Sequence, residues 1–298
     1  MTGVKACVAQ VSKPIALGNL PRSVLGEGPI WLPESNTLYW VDILGDRVHS
    51  YRLTNGHVGT INIGPYPSCV MPNEDGNLVV TVKDKVLLIN PHNGSTLRVL
   101  AMVNEPPSNR FNDCKCDPEG KLVAGTMDMN EMNPTGSVYV IDPSFGLKRI
   151  MESVIISNGI AWSLDGSLMY HIDSPTRRVT VLRYNRREGV VEGAIRHIDL
   201  SSYPGVPDGM TIDSDGYLWI ALYGGGRVLR VNPVNGEVAG QVEVPAQYTT
   251  SCTFGGSSLT TLFITTAMDR SRQTTGPDGY VFSVETDVRG TVVNRCRF

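Results

Sequence analysis

Turn dipeptides ending in glycine return at near-regular intervals along this chain. Asp75-Gly76, Glu119-Gly120, Asp165-Gly166 and Asp215-Gly216 each precede a short strand-like run (NLVVTV, KLVAGTM, SLMYHID, YLWIALY), with 44, 46 and 50 residues between successive glycines. Ser35-Asn36 ahead of TLYWVDI and Gly256-Ser257 ahead of SLTTLFITTA extend the frame in both directions. An alternating run follows each strand: RVHSYRL, KVLLINP, SVYVIDP, RVTVLRYN, RVLRVNP and YVFSVET. In several units a second turn (Asn55-Gly56, Asn93-Gly94, Glu188-Gly189, Asn235-Gly236) puts Gly or Asn where a tight hairpin needs positive φ. A further segment before the first turn (GPIWLP, CVMPNE, CKCDPE, IAWSLD, MTIDSD, CTFGGS) supplies the remaining strand of each unit. Four short strands, repeated six times, predict an all-β fold, a six-bladed β-propeller. A double sandwich or a barrel could use the same strands, but neither calls for six regular repeats.

No linker or shift in composition divides the 298 residues, so residues 1–298 are expected to form one propeller domain. The terminal segments VKACVAQ and TVVNRC are expected to complete the last sheet and close the ring. With 31 Gly and 19 Pro the chain is rich in turns, which disfavours long helices. The 26 Lys+Arg against 29 Asp+Glu leave no basic excess for tracking a phosphate backbone, so no nucleic-acid partner is expected. No run approaches the ~18 apolar residues of a membrane span, and Met1–Gln10 lacks the apolar core of a secretory signal. The expected setting is cytoplasmic, the expected state a monomer or small homo-oligomer. In that setting Cys7, Cys69, Cys114, Cys116, Cys252 and Cys296 are expected as reduced thiols. Cys114-Lys115-Cys116 has no nearby His to complete a zinc site and reads as two thiols on one face of a strand.

In a propeller the innermost strands ring the axis, so residues at one phase of the repeat should meet there. Eight residues before Gly76, Gly120, Gly166 and Gly216 stand Ser68, Asn112, Asn158 and Asp208; nine before Asn36 stands Glu27, with Ser251 or Cys252 in the sixth unit. Taken singly, each is ordinary turn chemistry, a polar side chain capping its own backbone. Taken together, carboxylates and amide carbonyls from different blades form an oxygen set suited to a hard divalent cation such as Ca²⁺ or Mg²⁺, with Zn²⁺ and Mn²⁺ also able to use it.

The segments LGEGPIW, NRFNDCKCDPEGKLVAGTM, ISNGIAWSLDGSLMYHIDS, VPDGMTIDSDGYLWIALYGGGRVLRVNP and TTSCTFGG give the chain a resemblance, nearly end to end, to the senescence-marker-protein/gluconolactonase/luciferin-regenerating-enzyme family (regucalcin-like). The resemblance implies a six-bladed propeller with one divalent metal ion (Ca, Zn, Mg or Mn) in the axial channel. It implies Glu27, Asn158 and Asp208 as the metal ligands, and Arg110 and Asn112 as contacts to a small-molecule lactone substrate. Ungapped matching from Arg110 places a further substrate contact on Asn130, within Asp128-Met129-Asn130-Glu131. Cys114 stands where regucalcin-like members have Gly; two residues from Asn112, it is expected on the same face, narrowing the channel or offering it a thiol.

The implied activity is metal-dependent hydrolysis of sugar lactones or related small cyclic esters. A cation beside the carbonyl favours the charge that develops on attack, and Asp208 and Asn112 are the candidate catalytic residues, as general base and water holder. Asp113 is the alternative carboxylate, expected on the opposite face of its strand. A non-catalytic calcium-binding or protein-interaction propeller is the alternative, since the fold hosts many functions. A metal-free strictosidine-synthase-like condensation leaves the Glu/Asn/Asp set without a purpose. No G-x-S-x-G elbow occurs, and Gly224-Gly225-Gly226 leads into a strand, not into a helix that could receive a phosphate. The five histidines read as surface or packed residues, and Trp31, Trp40, Trp162 and Trp219 as packing between blades.

Overall fold

A computed structural model describes residues 12–269 and 276–298. It contains six four-stranded antiparallel sheets, the blades of the propeller. Their innermost strands are Gly26–Leu32, Pro67–Pro72, Asn109–Cys116, Ser157–Trp162, Val206–Ile212 and Thr249–Gly255, for blades 1 to 6 in chain order. Blades 1 to 5 each use four consecutive strands. Blade 6 takes three from the end of the chain, and Ile15–Ala16 pairs with Phe282–Glu285 to supply the fourth.

Burial falls from the axis outward, and the sequence follows it. In blade 2 the inner strands Pro67–Pro72 and Leu78–Val82 are buried throughout, so they read as continuous small or apolar runs. The outermost, Thr96–Met102, is largely exposed. Each side chain such as Val79 or Leu78, fully withdrawn from water, contributes ~1.5–3 kcal/mol to the blade-to-blade contacts. Two of the four tryptophans pack between neighbouring blades: Trp31 stacks on Phe263 at 5.6 Å and Trp219 meets Phe254 edge-on at 5.3 Å.

The inner strands carry the device that builds the site. In all six blades the pairing of the first two strands slips at one level, between Glu27 and Ile30, Pro67 and Cys69, Phe111 and Cys114, Ser157 and Ile160, Pro207 and Met210, and Thr249 and Ser251. Such bulges break the alternation of a strand and re-aim its side chains. The glycines following Asn158 and Asp208 are required here by crowding. A Cβ on Gly159 would lie 2.7 Å from the Asp208 carbonyl oxygen, and one on Gly209 would lie 2.1 Å from Ser251 Oγ.

One expectation about the ends of the chain needs revision, and the other lies beyond what the structure describes. VKACVAQ lies outside the described residues. TVVNRC adds no strand to blade 6; it runs across the end of the channel where the inner strands finish. On the way, Thr291 Oγ1 donates to the Ile212 carbonyl (3.2 Å), Asn294 Nδ2 to the Cys116 carbonyl (3.1 Å) and the Cys296 N–H to the Pro72 carbonyl (2.8 Å). The tail thus ties blades 5, 3 and 2 together.

The expectation of reduced thiols fails for four of the cysteines. Cys69 and Cys114 form a disulfide joining the inner strands of blades 2 and 3, and Cys116 and Cys296 form another that fastens the tail. Cys114 is therefore no channel thiol; its sulfur is consumed between blades. Cys252 is free and buried. No helix among the described residues is long and apolar enough to cross a membrane.

Candidate functional site

At the end of the channel where the inner strands begin lies a cavity of about 450 Å³. Glu27, Arg110, Asn112, Asn158 and Asp208 all line it, contributed by blades 1, 3, 4 and 5. They are separated by up to 181 positions in sequence yet all lie within the buried class, Asp208 at 5% exposure and Glu27 at 9%.

A directed hydrogen-bond chain fixes the amides. Arg110 Nη1 donates to Asn112 Oδ1 (2.6 Å) and to the Phe111 carbonyl (2.8 Å). Asn112 Nδ2 donates to Asn158 Oδ1 (2.7 Å) and to the Ser157 carbonyl (2.8 Å). Asn158 Nδ2 in turn donates to Ser174 Oγ (2.8 Å), whose hydroxyl donates to the Pro207 carbonyl (2.6 Å). With its nitrogen so engaged, Asn158 is held with Oδ1 toward its neighbours in the cavity floor. Ser174 was not singled out in the sequence; nothing in the spacing marks a residue that acts by orienting another.

The carboxylates are the uncomfortable members of the group. Burial, with the nearby Asp113 charge, pushes Glu27 up to about 8, although the Gly28 N–H donates to its Oε2 at 3.0 Å. Burial and the charges of Glu27 and Asp113 raise Asp208 well above the ordinary carboxylate range, and its Oδ1 is buried without a hydrogen-bond partner. Arg110, itself lowered to about 10 by burial, supplies part of the compensating charge. Asp113 was expected on the far side of its strand. It does not line the cavity, yet its charge reaches both other acids, and the pairing of its strand slips between Phe111 and Cys114.

Asn130 takes no part in the lining. Its backbone N–H and Nδ2 both donate to Asp128 Oδ1 at 3.1 Å, and the next residue, Glu131, reaches the cavity wall with a left-handed backbone (φ 60°). Ungapped matching carries no information on which residue of a loop turns toward a cavity.

The residues present fit a hard cation. Two carboxylates raised by burial and by neighbouring negative charge, an orphaned Asp208 oxygen and an amide oxygen oriented from behind would be stabilised together by one divalent ion. Among the described residues no three His, Cys, Asp or Glu side chains cluster as metal ligands, so such an ion would depend on the Asn158 amide oxygen and on water to fill its shell.

Comparison with known proteins agrees with the geometry. Residues 25–268 match the family described as the SMP-30/Gluconolactonase/LRE-like region. The chain belongs to this family. A protein of Sulfolobus acidocaldarius with no assigned activity is 41% identical over 278 residues, covering 93% of this chain and 98% of its own length. Regucalcin of Danio rerio is 35% identical, covering 83% and 84%. Among solved structures, a calcium-binding protein, regucalcin, from Agrobacterium tumefaciens superimposes with a TM-score of 0.89 at 26% identity, over 97% of this chain and 98% of that one. The propeller expected from the turn spacing is thus the fold of the family.

Proposed function

We propose that this family member is a divalent-metal-dependent hydrolase of lactones, sugar lactones or related small cyclic esters. The reading is carried by one observation: Glu27, Asn158 and Asp208 converge, buried, at the floor of an open cavity, with an Asp208 oxygen left unpaired. These three side chains would hold the ion, and when bound it would polarise the lactone carbonyl. Gluconolactonase in the family's description, and the calcium-binding regucalcin among the structural neighbours, support the activity and the ion respectively.

The chain's own residues have separable tasks. Arg110, anchored through Asn112 and the Phe111 carbonyl, orients polar substituents beside the ring. Asn112 fixes the Asn158 oxygen and positions the attacking water. Asp208 takes the proton from that water as the bond to the carbonyl carbon forms. Ring opening returns a proton to the leaving alkoxide. Glu131 stands on the cavity wall where Asn130 had been expected. We place the protein in the cytoplasm as a monomer or small homo-oligomer acting on small molecules; intracellular disulfides have precedent in hyperthermophiles.

The test is hydrolysis of a lactone panel by chelated enzyme and by enzyme reconstituted with Ca²⁺, Mg²⁺, Mn²⁺ or Zn²⁺. Turnover restored by at least one cation is expected. Cation binding without turnover of any lactone would favour the calcium-binding alternative.

A further inference from the structure

Resting on the lactonase reading, we infer that the substrate is a lactone carrying an extended apolar substituent, with an aldonolactone the poorer fit. The floor of the cavity is polar, but its amide donors are committed, and on the lactonase reading its unpaired Asp208 oxygen is taken up by the ion. Both donor contacts of the Asn112 amide, the Asn158 amide and Arg110 Nη1 already have protein acceptors. Above that floor the wall is mainly hydrocarbon, contributed from all around the ring: Leu44, Met127, Met129, Ile156, Val206 and Met268. Leu44 is 50% exposed, an apolar side chain set at the open rim.

An aldonolactone bears a hydroxyl on nearly every ring carbon, and each would leave water to face this wall. Polar groups buried without partners are penalised, whereas an alkyl chain gains from the same surface. Size points the same way. A volume of about 450 Å³ lies in the ~300–1,000 Å³ range of pockets that enclose drug-sized ligands, with room beyond a single ring. Three of the wall residues are methionines, whose flexible thioethers adapt to chains of differing length. The carbonyl end then sits at Glu27, Asn158 and Asp208, and the substituent runs outward toward Met129, Met268 and Leu44. Hydrolysis adds one water across the ring ester and yields a hydroxy acid with the substituent intact.

The experiment compares kcat/KM for γ-lactones from γ-valerolactone to γ-decalactone with that for glucono-δ-lactone, using the full chain reconstituted with its most active cation. Calorimetric binding of the same compounds to chelated protein is measured alongside. A rise of about threefold per added methylene, on the order of a hundredfold across the series, is expected. The double variant Met129→Asn/Met268→Asn should reduce that span below tenfold. Faster turnover of glucono-δ-lactone than of γ-decalactone overturns the inference while lactone hydrolysis stands. Absence of all hydrolysis, with binding that still tightens along the series in the parent and less so in the double variant, removes the hydrolase reading and upholds the ligand class. Turnover and binding both indifferent to chain length overturn the inference.

Discussion

The two ends of the axial channel are made by the same six strands and finished in opposite ways. Where the strands begin, bulges turn polar side chains into an open cavity and leave buried acids short of partners. Where they finish, the C-terminal segment crosses the opening, hydrogen bonded to three blades and fastened by Cys116–Cys296. One end holds electrostatic tension that a bound cation would relieve, and the other holds the blades in register. Function and stability are therefore expected to respond separately to substitution, and the contrast can be broken at either end.

The largest effect is expected at the open end. Asp208→Ala should lower kcat/KM for lactones by at least a thousandfold, the scale for losing a metal ligand and proton acceptor together. Because the Asp208 carboxylate is raised by burial and by Glu27, its removal should leave the melting temperature of chelated protein unchanged or higher. A steady-state assay paired with thermal unfolding checks both halves.

At the closed end the order reverses. Cys116→Ser with Cys296→Ser opens a link spanning 180 residues and should cost about 2–5 kcal/mol in unfolding free energy. Activity well below the melting temperature should stay within about threefold of the parent's. Denaturant unfolding and a low-temperature assay separate the two; a loss of activity as deep as that of Asp208→Ala would join the two ends into one unit.

Between the ends lies the packing that brings the strands together. Gly209→Ala drives a methyl into Ser251 and is expected to cost about 1–3 kcal/mol, read by denaturant unfolding. It should also weaken cation binding, since it displaces the neighbour of Asp208.

The smallest effect separates the two environments by pH. Glu27, raised from 4.5 to about 8, keeps a proton in the folded chelated protein that the unfolded chain releases, so its contribution to stability falls as pH rises from about 4.5 to about 8. Bound cation should abolish that decline. His171 lies outside the cavity lining and has its Nε2 2.9 Å from Ser157 Oγ; burial lowers it from 6.5 to about 4. Its contribution is lost as pH falls from about 6.5 toward 4, with or without cation. Melting temperatures across pH, with and without chelator, should therefore coincide below about pH 4.5 and diverge progressively above it, while the His171 contribution appears in both curves.

How much of this was legible follows from what the sequence can encode locally. The repeat was, because Gly76, Gly120, Gly166 and Gly216 all take positive φ at the same turn. Counting eight back from the last three found Asn112, Asn158 and Asp208, and nine back from Asn36 found Glu27, since these units keep nearly the same spacing between the inner strand and the turn that follows it. The reach of the Asp113 charge to the other acids was not legible, because no residue type in Phe111-Asn112-Asp113-Cys114 announces the slip in pairing there. The disulfides join partners 45 and 180 residues apart, a pairing that only the closed ring brings together. Asn130 was chosen where Glu131 lines the cavity, because which residue of a loop turns inward is set by the loop's backbone and not by its motif.

Cation titration by isothermal calorimetry, on chelated parent, Glu27→Gln and Asn158→Ala, tests the central claim most directly. The account predicts one divalent ion bound per parent chain, affinity at least tenfold weaker in Asn158→Ala, and no measurable binding in Glu27→Gln. Undiminished binding in both variants, or none in the parent with any of the four cations, would contradict it.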